Sequence, residues 1–267
     1  MEWQAPAVVL DARPHGESGA VVALLTEAHG RHAGVVHGGA SRARAAVWQR
    51  GNLVEARWVA RLPEQLGSLT GELVHPAAAL ALEDPLALSL LASACAVAEG
   101  ALPDREPHAR CFRGLVSLIA RLPEGAARLL PDYVRWEAEL LAELGYGLDL
   151  GRCAATGATE DLAWVSPRTG RAVSAAAGEP WAARLLRLPG FLLAPEHPHS
   201  NDPSGPEEWL AGLRLTGHFL GKDAYGHGHR PLPPARGMLL DRVATLTTTT
   251  TIPAGETAAA AERRQDA

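Results

Sequence analysis

The stretch Gly30-Arg-His-Ala-Gly-Val-Val-His-Gly-Gly-Ala-Ser-Arg-Ala-Arg44 decides how this chain is read. Arg31 to His37 predicts a short strand, and the Gly38-Gly39 pair breaks it before a loop, Ser41-Arg42-Ala-Arg44, that carries two arginines. A short strand running into a glycine-rich basic loop suits an oligonucleotide-binding barrel, provided further short strands surround it. The two glycines let the loop turn so that Arg42 and Arg44 reach a phosphate backbone lying across the barrel face.

The neighbouring sequence supplies those strands. Val8 to Ala12 is a β-rich run ended by the turn Arg13-Pro-His-Gly16, and Gly19 to Thr26 is apolar enough to be a central strand. Glu27-Ala-His-Gly30 reads as a hairpin turn with Gly30 where φ is positive. From Leu53 to Leu62 the chain alternates, with Val54, Ala56, Trp58 and Ala60 on one side and Glu55, Arg57, Val59 and Arg61 on the other. A period of two predicts a half-buried strand whose arginines face outward. Pro63 stops it, and Leu66 to Val74 makes a fifth. Five strands joined by Gly/Pro turns within residues 1–76 predict a closed barrel, although a sandwich or an SH3-like barrel shares the pattern. Trp58 is expected in the core and Trp48, beside Arg50, at the surface.

Charge points the same way. The chain has a net charge of −5, yet Arg31, Arg42, Arg44, Arg50, Arg57 and Arg61 lie in one window with a single acid, Glu55. A basic patch on an acidic body is an electrostatic footprint for phosphate. Arg13, Arg31, Arg42, Arg44, Arg50 and Arg57, with His37 at the rim, are the expected contacts to a nucleic-acid backbone. Aromatics in the window are only Trp48 and Trp58, so stacking is thin and phosphate should dominate affinity, with steep salt dependence.

After His75-Pro76 the texture becomes helical, giving an α+β chain with a second domain over 77–242. Asp84-Pro85 is an N-cap and N1 pair that starts a buried helix to Leu102, and Pro107 to Leu122 spaces Phe112, Leu115, Val116, Leu118 and Ile119 helically. Asp132 to Leu144 repeats Tyr133, Trp136, Leu140 and Leu144, with Gly145 as C′ glycine. Within about 150–178 a hairpin is expected: Leu162 to Val165, a turn from Ser166 to Gly170, then Arg171 to Val173. Its flanks Cys153-Ala-Ala-Thr156 and Ser174-Ala-Ala-Ala177 have the spacing of zinc-ribbon knuckles, but only one of four positions is a thiol, which predicts no metal. Trp181 to Leu188 and Pro206 to Leu220 read as two more helices, and residues 243–267 as a disordered tail.

Among 267 residues the three cysteines, Cys95, Cys111 and Cys153, suit a reducing compartment. No signal peptide or apolar run of roughly 18 residues is present, so a cytoplasmic, nucleoid-associated protein without a membrane partner is expected. Gly-x-Ser-x-Gly, the phosphate loop and His-Glu-x-x-His are absent, which points to binding without catalysis and without a cofactor. Glu196-His-Pro-His199 and His218 with His227-Gly-His229 could gather a metal, but loop histidines of this kind are usually solvated.

Trp3-Gln4, Arg13-Pro14 with Glu17, Leu25-Thr-Glu-x-x-Gly30-Arg31, Gly38-Gly-Ala-Ser-Arg42, Leu144-Gly-Tyr-Gly147 with Leu148 to Cys153, and Gly221-Lys222 stand in a telling order and spacing. In these stretches the chain resembles the RecO family of bacterial recombination mediators. The resemblance runs to about Arg242. It implies an N-terminal oligonucleotide-binding barrel, a helical domain and, in some members, a zinc ribbon. It also implies binding of single- and double-stranded DNA, strand annealing, and help in loading recombinase on DNA coated by single-strand-binding protein, with RecR and sometimes RecF as partners. Thr156, Ser174 and Ala177 depart from the metal-binding members. The competing reading is a protein-interaction adaptor whose helical domain carries the function, with the barrel as scaffold.

Overall fold

The computed structural model describes residues 1–38, 42–62, 65–194, 197, 199 and 204–250, with the backbone alone for Arg42, Ala43, Arg44, His227, Thr249 and Thr250. Strands β1 (Glu2–His15), β2 (Gly19–Thr26), β3 (Gly30–Val36), β4 (Leu53–Val59) and β5 (Ser68–His75) close into a barrel in the order β1-β2-β3-β5-β4, with helix α1 (Arg42–Val47) between β3 and β4. This is oligonucleotide-binding topology.

β1 is much longer than Val8 to Ala12 because it serves two partners. Glu2 to Val8 pairs with β4 and Ala7 to His15 with β2, and a bulge between Val9 and Asp11 bends the strand between them. Pro6 lies one residue before the β2 pairing begins, where β1 has a partner on one side only and a missing N–H is tolerated. The alternation in β4 holds: Val54, Ala56, Trp58 and Ala60 are buried while Arg57 and Val59 are exposed.

The run Ala7-Val-Val-Leu10 is buried on both faces. Ala7 and Val9 point into the barrel core, whereas Val8 and Leu10, with Leu25 of β2, join the core of the helical domain. That core is built from α2 (Ala77–Leu80), α3 (Pro85–Ala101), α4 (Ala109–Ala120), α5 (Ala126–Glu143), the hairpin β6 (Leu162–Val165) and β7 (Ala172–Ser174), the turn α6 (Ala175–Gly178), strand β8 (Leu186–Arg187), α7 (Pro206–Phe219) and α8 (Pro234–Thr250). Asp84 caps α3 by accepting from Leu86 N at 2.8 Å. Gly145 follows α5 with φ +87°.

Three further expectations change. α5 starts at Ala126, so Pro131 lies inside it rather than before it. Trp181 to Leu188 is a 3₁₀ turn followed by β8, because Leu186 and Arg187 find pairing partners in Val165 and Trp164 of β6. Residues 243–250 are the last turns of α8 and not a disordered tail: Leu239 and Val243 are fully buried in the helical core, and the helix packs on α3 and α7. Residues 251–267 lie outside the described residues.

α8 is anchored by a buried charge. Arg236 donates bidentately to Glu137 of α5, Nε to Oε1 at 2.5 Å and a terminal nitrogen to Oε2 at 2.9 Å, and also to Leu213 O at 2.7 Å. Tyr133 donates its hydroxyl to Glu137 at 2.7 Å, so Ser93 donates to Tyr133, and Thr216 supplies a further bond to Glu137 at 2.5 Å. With every member satisfied, the pair ties α3, α5, α7 and α8 together.

Candidate nucleic-acid interface

The two mouths of the barrel are plugged differently. At one, Trp3 stacks on His29 at 4.8 Å between ring centroids and meets His32 edge-on at 5.3 Å, while His32 meets Trp58 at 5.3 Å. Burial holds the His32 imidazole below the ordinary histidine range, against the bond from its Nδ1 to His29 O at 2.8 Å. At the other mouth sits α1. Trp48, expected at the surface, is buried there, because β5 offers Gly71 opposite it and a Cβ on Gly71 would come within 2.9 Å of the Trp48 ring. Asn52 holds the α1 end in place: its amide donates to Ala46 O and Val47 O, and its Oδ1 accepts from Ala78 N at the start of α2. Nothing in the local pattern marks Asn52, since its partners are 5 to 26 residues away.

Two clefts flank Trp48. One, of about 470 Å³, is lined by Asp11, Arg13, Ala45, Gln49 and Arg50; the other, of about 250 Å³, lies between β3 and β5 beside His37. The structure therefore brings Arg13, Arg50 and α1 to one end of the barrel, with His37 on its far side. The backbone of Arg42 to Arg44 is the first turn of α1 rather than a loop, while their side chains, and Gly39 to Ser41, lie outside what is described.

Carboxylates meet most of the expected contacts. Asp11 accepts from Arg50 at 2.6 Å and from Arg13 at 2.5 Å. Burial pushes the Asp11 carboxyl up, but the charge-assisted bonds from Arg50 and Arg13 outweigh it and leave it below the ordinary carboxylate range. Arg57 is held by Glu2 at 2.6 Å. Across residues 1–76 seven arginines meet seven acids, so the barrel as a whole is neutral and its basic character is local. Charge along the window does not show this, because Glu2 and Asp11 reach the arginines only through the fold.

Arg31 has a different role from the one expected. It is mostly buried at the junction with the helical domain, where Nε donates to Leu102 O at 2.9 Å and the terminal nitrogens meet Asp104 at 2.9 Å and Glu99 at 3.7 Å. The 102–106 segment is laid against β3 by an Arg31–Asp104 bridge and by Arg105 N donating to Arg31 O at 2.8 Å. Gly30, at φ +63°, touches Glu106 so closely that a Cβ would overlap its backbone. Arg113 of α4 reaches Glu27 in the β2–β3 turn at 2.5 Å.

In the hairpin of the helical domain Ser174 donates to Cys153 Sγ from its backbone N at 3.3 Å and its hydroxyl at 3.4 Å. Burial would raise the thiol, but bonds from Ser174 and Thr156 bring it down to about 6. Cys153, Thr156 and Ser174 thus come together, yet one thiol with two hydroxyls, and Ala177 at the fourth knuckle position, does not fit a tetrahedral structural zinc. Glu196 lies outside the described residues, as does the His227 side chain, and among the described residues no three His, Cys, Asp or Glu side chains gather. No described helix is long and apolar enough to cross a membrane.

A family model described as the N terminal part of recombination protein O matches residues 1–77, and one for its C terminal part matches residues 82–230. The chain belongs to the recombination protein O family. Relatives named DNA repair protein RecO are 58% identical in Granulibacter bethesdensis, covering 93% of this chain and 98% of the relative, and 56% identical in Gluconacetobacter diazotrophicus, covering 91% and 95%. In Acidiphilium cryptum the relative is 56% identical, with 91% and 96% covered. The boundary between the two RecO family matches falls at α2, the turn that Asn52 clamps to the barrel.

Proposed function

We propose that this protein binds DNA through the α1 end of its barrel and acts as a mediator of recombinational repair, annealing complementary strands and helping to load recombinase on single-stranded DNA. The observation that carries this reading is the closed oligonucleotide-binding barrel with arginines gathered at the mouth that α1 covers, in a chain matching RecO proteins over more than nine-tenths of its length. Arg13, Arg50 and Arg57, with Arg42 and Arg44 on α1 and His37 beside them, are the proposed phosphate contacts; Arg31 is assigned to the junction. RecR, in some cases RecF, and single-strand-binding protein are the proposed protein partners, as in the family.

The experiment is a salt titration of binding to a labelled oligonucleotide of about 30 nucleotides, longer than the roughly 4–16 that one barrel covers. Binding should be present at low salt and fall linearly with the logarithm of salt, and Arg42→Ala with Arg44→Ala should weaken it about tenfold and flatten the slope. No binding at low salt overturns the reading.

The neutral balance of the barrel favours one alternative, an adaptor whose helical domain carries the function. It predicts that residues 76–242 alone retain partner binding while DNA affinity is negligible.

A further inference from the structure

The barrel leaves one open seam. β3 and β5 meet only at Val35 and Ser68, with Val35 N donating to Gly67 O at 2.9 Å; beyond that bridge the two strands diverge. The wedge between them is the pocket of about 250 Å³, walled by Val36, Val47, Trp48 and Leu69, with the hydroxyls of Ser68 and Thr70 at its rim. Apolar walls around a few polar groups are the make-up of a small-molecule pocket, and this one lies below the ~300–1,000 Å³ of drug-sized sites, which suits a single planar ring system. Register supplies the charge. Thr70 stands directly opposite Arg57 in the β4–β5 pairing, about 5 Å away at Cβ, while the Arg57 guanidinium turns to Glu2 on the β1 side at 2.6 Å. On the other side α1 closes over the seam through Val47 and Trp48.

We propose that the β3–β5 seam takes one unstacked nucleobase of single-stranded DNA, with a flanking phosphate competing with Glu2 for Arg57. This rests on the DNA-binding reading above and sharpens it. A base in a duplex would have to unpair and unstack to enter, so the seam makes the protein favour single strands, and it does so without reading sequence, because every base presents an apolar face.

The test compares oligo(dT) of about 30 nucleotides, the same length of abasic backbone, and a duplex, each at low salt, with the wild type and with Ser68→Phe, whose ring fills the pocket from an exposed strand position. The wild type should bind oligo(dT) about tenfold more tightly than the abasic strand, on the scale of one base–aromatic contact. Ser68→Phe should remove that preference while leaving abasic affinity unchanged. If thermal unfolding shows Ser68→Phe to be destabilised, Thr70→Leu replaces it. Equal wild-type affinity for oligo(dT) and abasic strands, or a preference that survives both substitutions, overturns the seam while leaving DNA binding intact. Absence of binding to any of the three substrates overturns the DNA reading and the seam together.

Discussion

Asp11 sets the charge state of the proposed interface. It lies in β1, draws Arg13 and Arg50 together, and so spends two cations on the protein itself. Its carboxyl is held low in the folded state, so the stability it contributes is complete above the ordinary aspartate range and is lost as pH falls through its depressed folded value. Asp11→Asn should cost about 1 kcal/mol in urea unfolding at neutral pH, release Arg50 and leave Arg13 with Glu99 alone, at 3.6 Å. Affinity for single-stranded DNA should then rise about threefold to tenfold at low salt, with a steeper salt dependence as about one more phosphate is neutralised. An unchanged slope would show that neither arginine faces the DNA. Residue by residue, the alternation of β4 was legible because a half-buried strand imposes a period of two, whereas Trp48 beside Arg50 was misread because Gly71, which makes room for its ring, is 23 positions away in β5.

At the scale of elements, α8 shows what a buried charge can hold. Arg236 and Glu137 are both shut off from solvent, and they join the last helix to the middle of the domain. Replacing Glu137 with Gln should leave the guanidinium buried without a counter-charge and lower stability by about 3–5 kcal/mol, read as a shift of the urea midpoint. Replacing both residues, Glu137→Leu with Arg236→Met, should cost less than the single change, because removing both charges also removes the desolvation penalty. If the double variant is the worse of the two, the network acts through packing and not through charge. The end of α8 was not legible because the threonines from Thr247 to Thr250 are weak helix formers, whereas the docking of Leu239 and Val243 fixes the helix from which that turn continues.

For the molecule as a whole, the junction makes one unit of two folds. Val8, Leu10 and Leu25 lie on the outside of the barrel yet inside the helical core, and Arg31 bonds across the boundary to Leu102, Asp104 and Glu99. Arg31→Ala should therefore lower stability by about 1–3 kcal/mol and split unfolding, so that tryptophan fluorescence and helical circular dichroism no longer report coincident transitions. Its effect on DNA affinity should stay within about twofold. A large loss of DNA affinity with coincident unfolding would return Arg31 to the interface.

From sequence alone came the order of elements, the barrel followed by helices, the hairpin with its single thiol, and the family. These depend on local periodicity, on Gly and Pro at turns, and on residue chemistry, all of which act over a few positions. Tertiary structure alone decided which arginines are held by carboxylates, that Trp48 is buried, that a seam opens between β3 and β5, and that Gly30-Arg31 is a clasp as much as a turn. Each of those depends on which distant groups the register brings within a few ångströms, and a carboxylate 39 residues away from Arg50 is invisible to any window read along the chain.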